Sequence, residues 1–156
     1  MSAARRCAIA LAAVVWIASA ASTGAQGDFS CVISVTDVDF GAYDVFAAAP
    51  VQSTGTIAYR CGNRVKDVTI TISRGQSATY TPRVMFRGGD SLFYNLYMDA
   101  ARTAVWGDGT SGTGVYSVDN ARNNREVIVT IYGNIPPLQD VTAGTYTDDV
   151  TATINF

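Results

Sequence analysis

Histidine is absent from this 156-residue chain. That absence removes Ser-His-Asp and Cys-His nucleophile systems and every imidazole-ligated metal site. Lysine is almost absent too. Lys66, the only one, stands beside Asp67 at the start of an expected strand, and a Ser–Lys dyad would have to use it. A solvated charge that discourages edge-to-edge sheet association accounts for it without chemistry. No stretch carries the basic clustering that would speak for nucleic acid or anionic lipid. No stretch after residue 25 has the apolar spacing of a helix, and the one long apolar run, Cys7 to Ala18, is too short to span a bilayer.

That run has its own meaning. Arg5-Arg6 makes a short positive region before it, and small residues from Ser19 to Ala25 follow. This is the layout of a secretory signal peptide, expected at 1–25 with cleavage after Ala25. Cleavage after Ala20 is the second choice. The arginine pair lacks twin-arginine flanks, and Cys7 stands at the start of the apolar run and not at the cleavage site, so it is no lipid-anchoring cysteine. The expected mature domain, 26–156, is long enough for one real core, and no transmembrane segment remains in it. Eleven basic residues less Arg5 and Arg6 leave nine against thirteen acidic, a net charge of −4. Two cysteines remain, Cys31 and Cys61, and an even count in an exported chain implies a disulfide. Thiolate catalysis and thiolate metal sites go with it.

What is abundant is valine, isoleucine, threonine and tyrosine, punctuated by 14 glycines. That mixture favours an all-β antiparallel sandwich or barrel. Strands are expected at 31–40, 54–61, 68–73, 91–98, 115–118, 125–132 and 145–156. The cleanest alternation is Val68-Thr-Ile70-Thr-Ile72-Ser, aliphatics inward, and Val127, Val129 and Ile131 repeat it. Val32 and Val35 differ in parity, which suggests a bulge between Ser34 and Val38. Pro136-Pro137 forces a loop after Ile135. The last strand puts Val150, Ala152, Ile154 and Phe156 on one face, with Phe156 on the side to be buried. Such a strand needs cover, from the chain or from a partner.

Paired carboxylates suffice for glycoside hydrolysis, and Asp37/Asp39 and Asp148/Asp149 are the available pairs. Solvated turn residues are the simpler account of both. Trp106-Gly-Asp108-Gly-Thr-Ser-Gly-Thr113 offers one carboxylate where a calcium loop needs several, so a glycine-rich turn with Trp106 packed at its base is expected. Tyr43, Tyr80, Tyr94, Tyr97, Tyr116 and Trp106 could stack on sugar rings, or could be core and cross-strand partners. No catalytic residue, cofactor or metal is expected.

Several motifs occur in a telling order: Cys31-Val-Ile-Ser-Val, Phe40-Gly-Ala-Tyr43-Asp44, Gly55-Thr-Ile-Ala-Tyr-Arg-Cys61 and Arg83-Val-Met85. Leu92-Phe-Tyr94-Asn95-Leu-Tyr97-Met-Asp99, Val105-Trp106-Gly-Asp-Gly-Thr110, Tyr132-Gly-Asn-Ile-Pro136 and Gly144-Thr-Tyr-Thr-Asp148 follow, then the closing Val-Thr-Ala-Thr-Ile-Asn-Phe156. Together they resemble the spore coat protein U domain family, which includes the pilins of archaic chaperone–usher pili. The Tyr-Asn-Leu-Tyr and Trp-Gly-Asp-Gly-Thr segments carry most of the weight.

The resemblance implies an incomplete immunoglobulin-like sandwich lacking its last strand, completed by a donor strand from a partner. It implies a structural, non-enzymatic fibre subunit, exported through the periplasm to a surface fibre or secreted, with a role in adhesion or biofilm formation. A periplasmic pilus chaperone, an outer-membrane usher and neighbouring pilin subunits would be its partners. Val150, Ala152, Ile154 and Phe156 would then line the groove that a partner strand fills. Only Gln26 to Ser30 precede Cys31 in the expected mature chain, too few for a donor strand of its own, which suits a fibre terminus or a coat role. The alternative is a self-contained secreted coat or carbohydrate-binding module.

Overall fold

The computed structural model describes residues 30–156 apart from 64, 120, 122 and 123. The expected signal peptide and its cleavage sites lie outside the described residues. Eight strands are present: β1 Cys31–Thr36, β2 Val51–Cys61, β3 Asp67–Ile72, β4 Arg83–Arg87, β5 Asp90–Tyr97, β6 Tyr116–Asp119, β7 Val127–Ile135 and β8 Ala152–Asn155. They form an antiparallel sandwich, one sheet ordered β1-β2-β7-β5-β4 and the other β6-β3-β8. This is the all-β, immunoglobulin-like class expected from composition and resemblance.

The period-2 signal places the core. Val68, Ile70 and Ile72 of β3 face Ile57 and Tyr59 of β2 and Ile131 and Ile135 of β7, all at 4% exposure or less. Cys31 and Cys61 sit opposite each other in the β1–β2 ladder and are joined as a disulfide.

Three expectations are corrected. The bulge in β1 is absent: Cys31↔Cys61 through Thr36↔Thr56 run in unbroken register, and the strand ends there. Val32 simply faces outward while Val35 shares the inward parity of Cys31 and Ile33. Beyond Thr36 the chain crosses the inner face of the sheet, where Gly55 and Gly133 leave room. A Cβ on Gly133 would lie 2.6 Å from Val38 Cγ1 and Phe40 Cζ, and one on Gly55 2.7 Å from the Thr36 carbonyl. β4 was not expected as a strand, because arginines at both ends and Pro82 before it hide its alternation. Yet Arg83 and Met85 are its buried residues. Finally, the terminal strand is shorter than 145–156. The alternation of burial holds from Tyr146 to Ile154, but Phe156 is 49% exposed instead of buried.

Candidate partner-strand interface

One end of the sandwich is closed into a ring of backbone hydrogen bonds. Ile72 N at the end of β3 donates to Gly107 O, and Trp106 N donates to Leu96 O of β5. β5 pairs with β4, Phe86 of β4 exchanges bonds with Thr147, and Ser73 N returns to Thr151 O. Residues 105–107 and 147–151 thus stitch the two sheets together.

Arg83 fastens this ring. Its side chain is fully buried, and its guanidinium donates to Ser73 O at 3.0 Å, Trp106 O at 2.6 Å and Asn95 Oδ1 at 2.8 Å. The Tyr80 ring lies 5.1 Å from it. Burial depresses the proton affinity of the guanidinium, but arginine remains charged at any physiological pH. Asn95 donates onward to Tyr80 O. Tyr94 donates to Asp148 Oδ2 at 2.6 Å, and Asp148 Oδ1 accepts from Gln76 N. Burial, then the bond to Asp148, pushes the Tyr94 hydroxyl far above its ordinary range. Trp106, also fully buried, donates its indole N–H to Ile70 O. No buried side-chain polar atom among the described residues lacks a partner. The scattered Arg-Val-Met, Tyr-Asn-Leu-Tyr, Trp-Gly and Asp148 motifs are one polar cluster.

This cluster also decides the fate of several candidates. Asp148 is spent on Tyr94 and Gln76, while Asp149 is exposed. Asp37 and Asp39 are exposed, and Asp39 caps Gly41 N. Asp108 is exposed and closes its own turn by accepting from the Thr110 side chain and backbone, which hold its carboxyl below the usual range. Trp106 sits at the base of that turn, as the glycine spacing predicts. Tyr94 is core, Tyr59 and Tyr116 meet edge-on, and Tyr43 bonds Pro136 O and Gln139 N. No group of three possible metal ligands occurs among the described residues.

The opposite side of the sandwich is different. β1 and β8 are the end strands of their two sheets and lie beside each other. No ladder joins them among the described residues. Val150, Ala152 and Ile154 pack partly buried against the core, as does Ile33 of β1. Val35, on the inward parity of β1, is 45% exposed, and Phe156 is 49% exposed. The two walls of this seam therefore carry apolar side chains that no strand covers. The alternation of β8 up to Ile154 was legible in the sequence. Ile33 and Val35 as the other wall were missed, although the Cys31-Ile33-Val35 alternation carried the signal.

Comparison with known proteins follows the same lines. The Spore Coat Protein U domain model matches residues 17–153. "Protein U" of Myxococcus xanthus is 36% identical over 132 residues, covering 76% of this chain and 71% of that protein. A chain of the crystal structure of the CsuC–CsuE chaperone–tip adhesion subunit pre-assembly complex, from archaic chaperone–usher Csu pili of Acinetobacter baumannii, superposes with a TM-score of 0.55. It is 26% identical. The match covers 81% of this chain but only 40% of that one.

Proposed function

The chain belongs to the Spore Coat Protein U domain family, and from that premise we propose that it is a structural, non-enzymatic subunit of a chaperone–usher surface fibre. Residues 1–25 direct export, and 26–156 form the single domain. A periplasmic chaperone lends a strand during transit, the usher accepts the complex, and a neighbouring subunit supplies the replacement strand. The fibre serves adhesion or biofilm formation. One observation carries the reading: β1 and β8, end strands with no ladder between them among the described residues, flank a seam whose inward Val35 and Phe156 remain about half exposed. An added strand would satisfy their backbone groups and bury those side chains. The likeness to a subunit of a chaperone–subunit complex supports it.

A second reading is a self-contained secreted coat module, for which the spore-coat description of the family speaks. One experiment separates the two. Burying an Ile or Phe side chain stabilises by roughly 1.5 to 3 kcal/mol, so Ile154→Asp and Phe156→Asp are expected to abolish co-purification with the chaperone and leave the subunit degraded. Thr153→Ser, on the opposite face, is expected to be silent. An Ile154→Asp protein that accumulates as a stable monomer without chaperone refutes the fibre reading.

A further inference from the structure

The alternation of the terminal segment leaves its register open. Val150, Ala152 and Ile154 turn toward the core, and a slip of one residue would turn all three to solvent. A slip of two keeps every side chain on its face. Most bonds that hold the segment tolerate such a slip as well. Phe86 exchanges backbone bonds with Thr147, Ser73 N donates to Thr151 O, and β8 pairs with β3 through backbone groups. The Ser73 hydroxyl accepts from Thr151 N, again a backbone group. Every residue but proline carries these groups, so each bond can form two residues further along. Side-chain size leaves latitude too, because Ala152 is only half-buried and a larger residue in its place finds room toward the open seam.

Asp148 does not tolerate it. Its two oxygens take donors from two other elements, the Tyr94 hydroxyl of β5 at 2.6 Å and Gln76 N, in the turn after β3, at 2.8 Å. That turn is shaped to admit the carboxylate: Gly75 has φ +63°, and a Cβ there would lie 2.6 Å from Asp148 Cγ and overlap both oxygens. A slip of two brings Tyr146 or Val150 to the same place. Tyr146 is too large for the gap, and the Val150 side chain accepts no hydrogen bond. We infer that Asp148 is the positioning residue of the seam: it fixes the register of β8 on β3, and so fixes where small Ala152, between Val150 and Ile154, leaves a gap along the wall. A slip of two moves that gap by about 7 Å, one inward side chain along, and so changes which partner strand the seam accepts. That consequence rests on the strand-lending reading above, whereas the register itself does not.

Thr71 and Thr153 stand opposite each other in the β3–β8 ladder, on the face turned away from Ile70 and Ile154. Paired cysteines there report register without touching the core. In the full chain exported to the periplasm, T71C/T153C is expected to bridge, read by peptide mapping without reduction. T71C/T151C and T71C/N155C, the registers shifted by two, are expected not to. Asp148→Ala is expected to lower the ratio of in-register to shifted bridges at least about tenfold, through the loss of two hydrogen bonds to a charged group. Gly75→Ala, which evicts the carboxylate without removing it, is expected to do the same. Gly88→Ala introduces similar backbone strain at φ +59°, with open space around the new Cβ, and is expected to leave the ratio unchanged. Asp148→Asn keeps the shape and one acceptor oxygen, and is expected to recover most of the ratio. Tyr94→Phe removes one anchor, leaves the packing, and is expected to lower the ratio several-fold. A wild-type ratio in Asp148→Ala, or in Tyr94→Phe where Asp148→Ala is degraded, refutes the role of Asp148 and leaves strand lending standing. An Ile154→Asp protein that persists as a stable monomer without chaperone removes strand lending, and the bridge ratio still decides the register.

Discussion

Arg83→Met tests whether the buried guanidinium holds the closed end of the sandwich. Methionine keeps an unbranched apolar stem, stops short of the guanidinium and donates nothing. Three acceptors lose a donor: Ser73 O, Trp106 O and Asn95 Oδ1. Asn95 Oδ1 still accepts from Leu96 N, so the two carbonyls bear most of the loss. A buried acceptor left unsatisfied costs roughly 1 to 3 kcal/mol. Against that, replacing a buried charge removes its desolvation cost, which is why apolar replacements of buried ions are sometimes neutral. The carbonyls remain buried whatever happens to the charge, so the acceptor loss prevails and a net destabilisation of about 2 to 4 kcal/mol is expected. For a domain stable by roughly 5 to 15 kcal/mol that is a large fraction. Urea unfolding of purified protein with its disulfide intact would show a lower midpoint at unchanged slope. Asn95→Ala in the Arg83→Met background is expected to cost less than in the wild type, because the two side chains share one network. An Arg83→Met midpoint equal to wild type would mean that the charge cost cancels the hydrogen bonds, and the hub argument would be wrong.

Tyr94 carries a pH prediction. Its hydroxyl is held above the ordinary tyrosine range by burial and then by Asp148, so the contribution is fully present below the unfolded value near pH 10 and is lost as pH rises above it. Tyr94→Phe is expected to cost about 1 to 2 kcal/mol at neutral pH and to flatten the alkaline fall in a pH series of melting temperatures, whereas an identical alkaline limb would remove Tyr94 as its cause. Gly133→Ala is expected to destabilise by about 1 to 3 kcal/mol by forcing Val38 and Phe40 off the sheet, read by thermal unfolding, with no change in melting as the contrary result. Native protein is expected to show no alkylatable thiol at Cys31 or Cys61, and reduction is expected to lower stability by roughly 3 to 4 kcal/mol for a separation of 30 residues. Two thiols labelled without reductant would overturn that pairing.

Local pattern was enough for the strands whose neighbours agree with them. Val68, Ile70 and Ile72 alternate without interruption, and the burial of all three follows from a pleated strand with one face inside. The cysteine count in an exported chain was enough for the disulfide, and the Val150-Ala152-Ile154 alternation for the half-buried face of the terminal segment. β4 was hidden because one of its two inward residues is an arginine, and no local rule predicts a buried cation. Its acceptors come from Ser73, Asn95 and Trp106, which only the closed ring brings together. The crossing of residues 37–40 was equally illegible, since it needs glycines on two other strands, Gly55 and Gly133, to clear its path. In β3 and β7 sequence by itself determined which residues turn inward, because side-chain alternation is a property of one strand. Tertiary structure alone decided which edges meet and which stay open: pairing depends on where two distant strands are placed, and β1 and β8 lie beside each other with no ladder between them among the described residues.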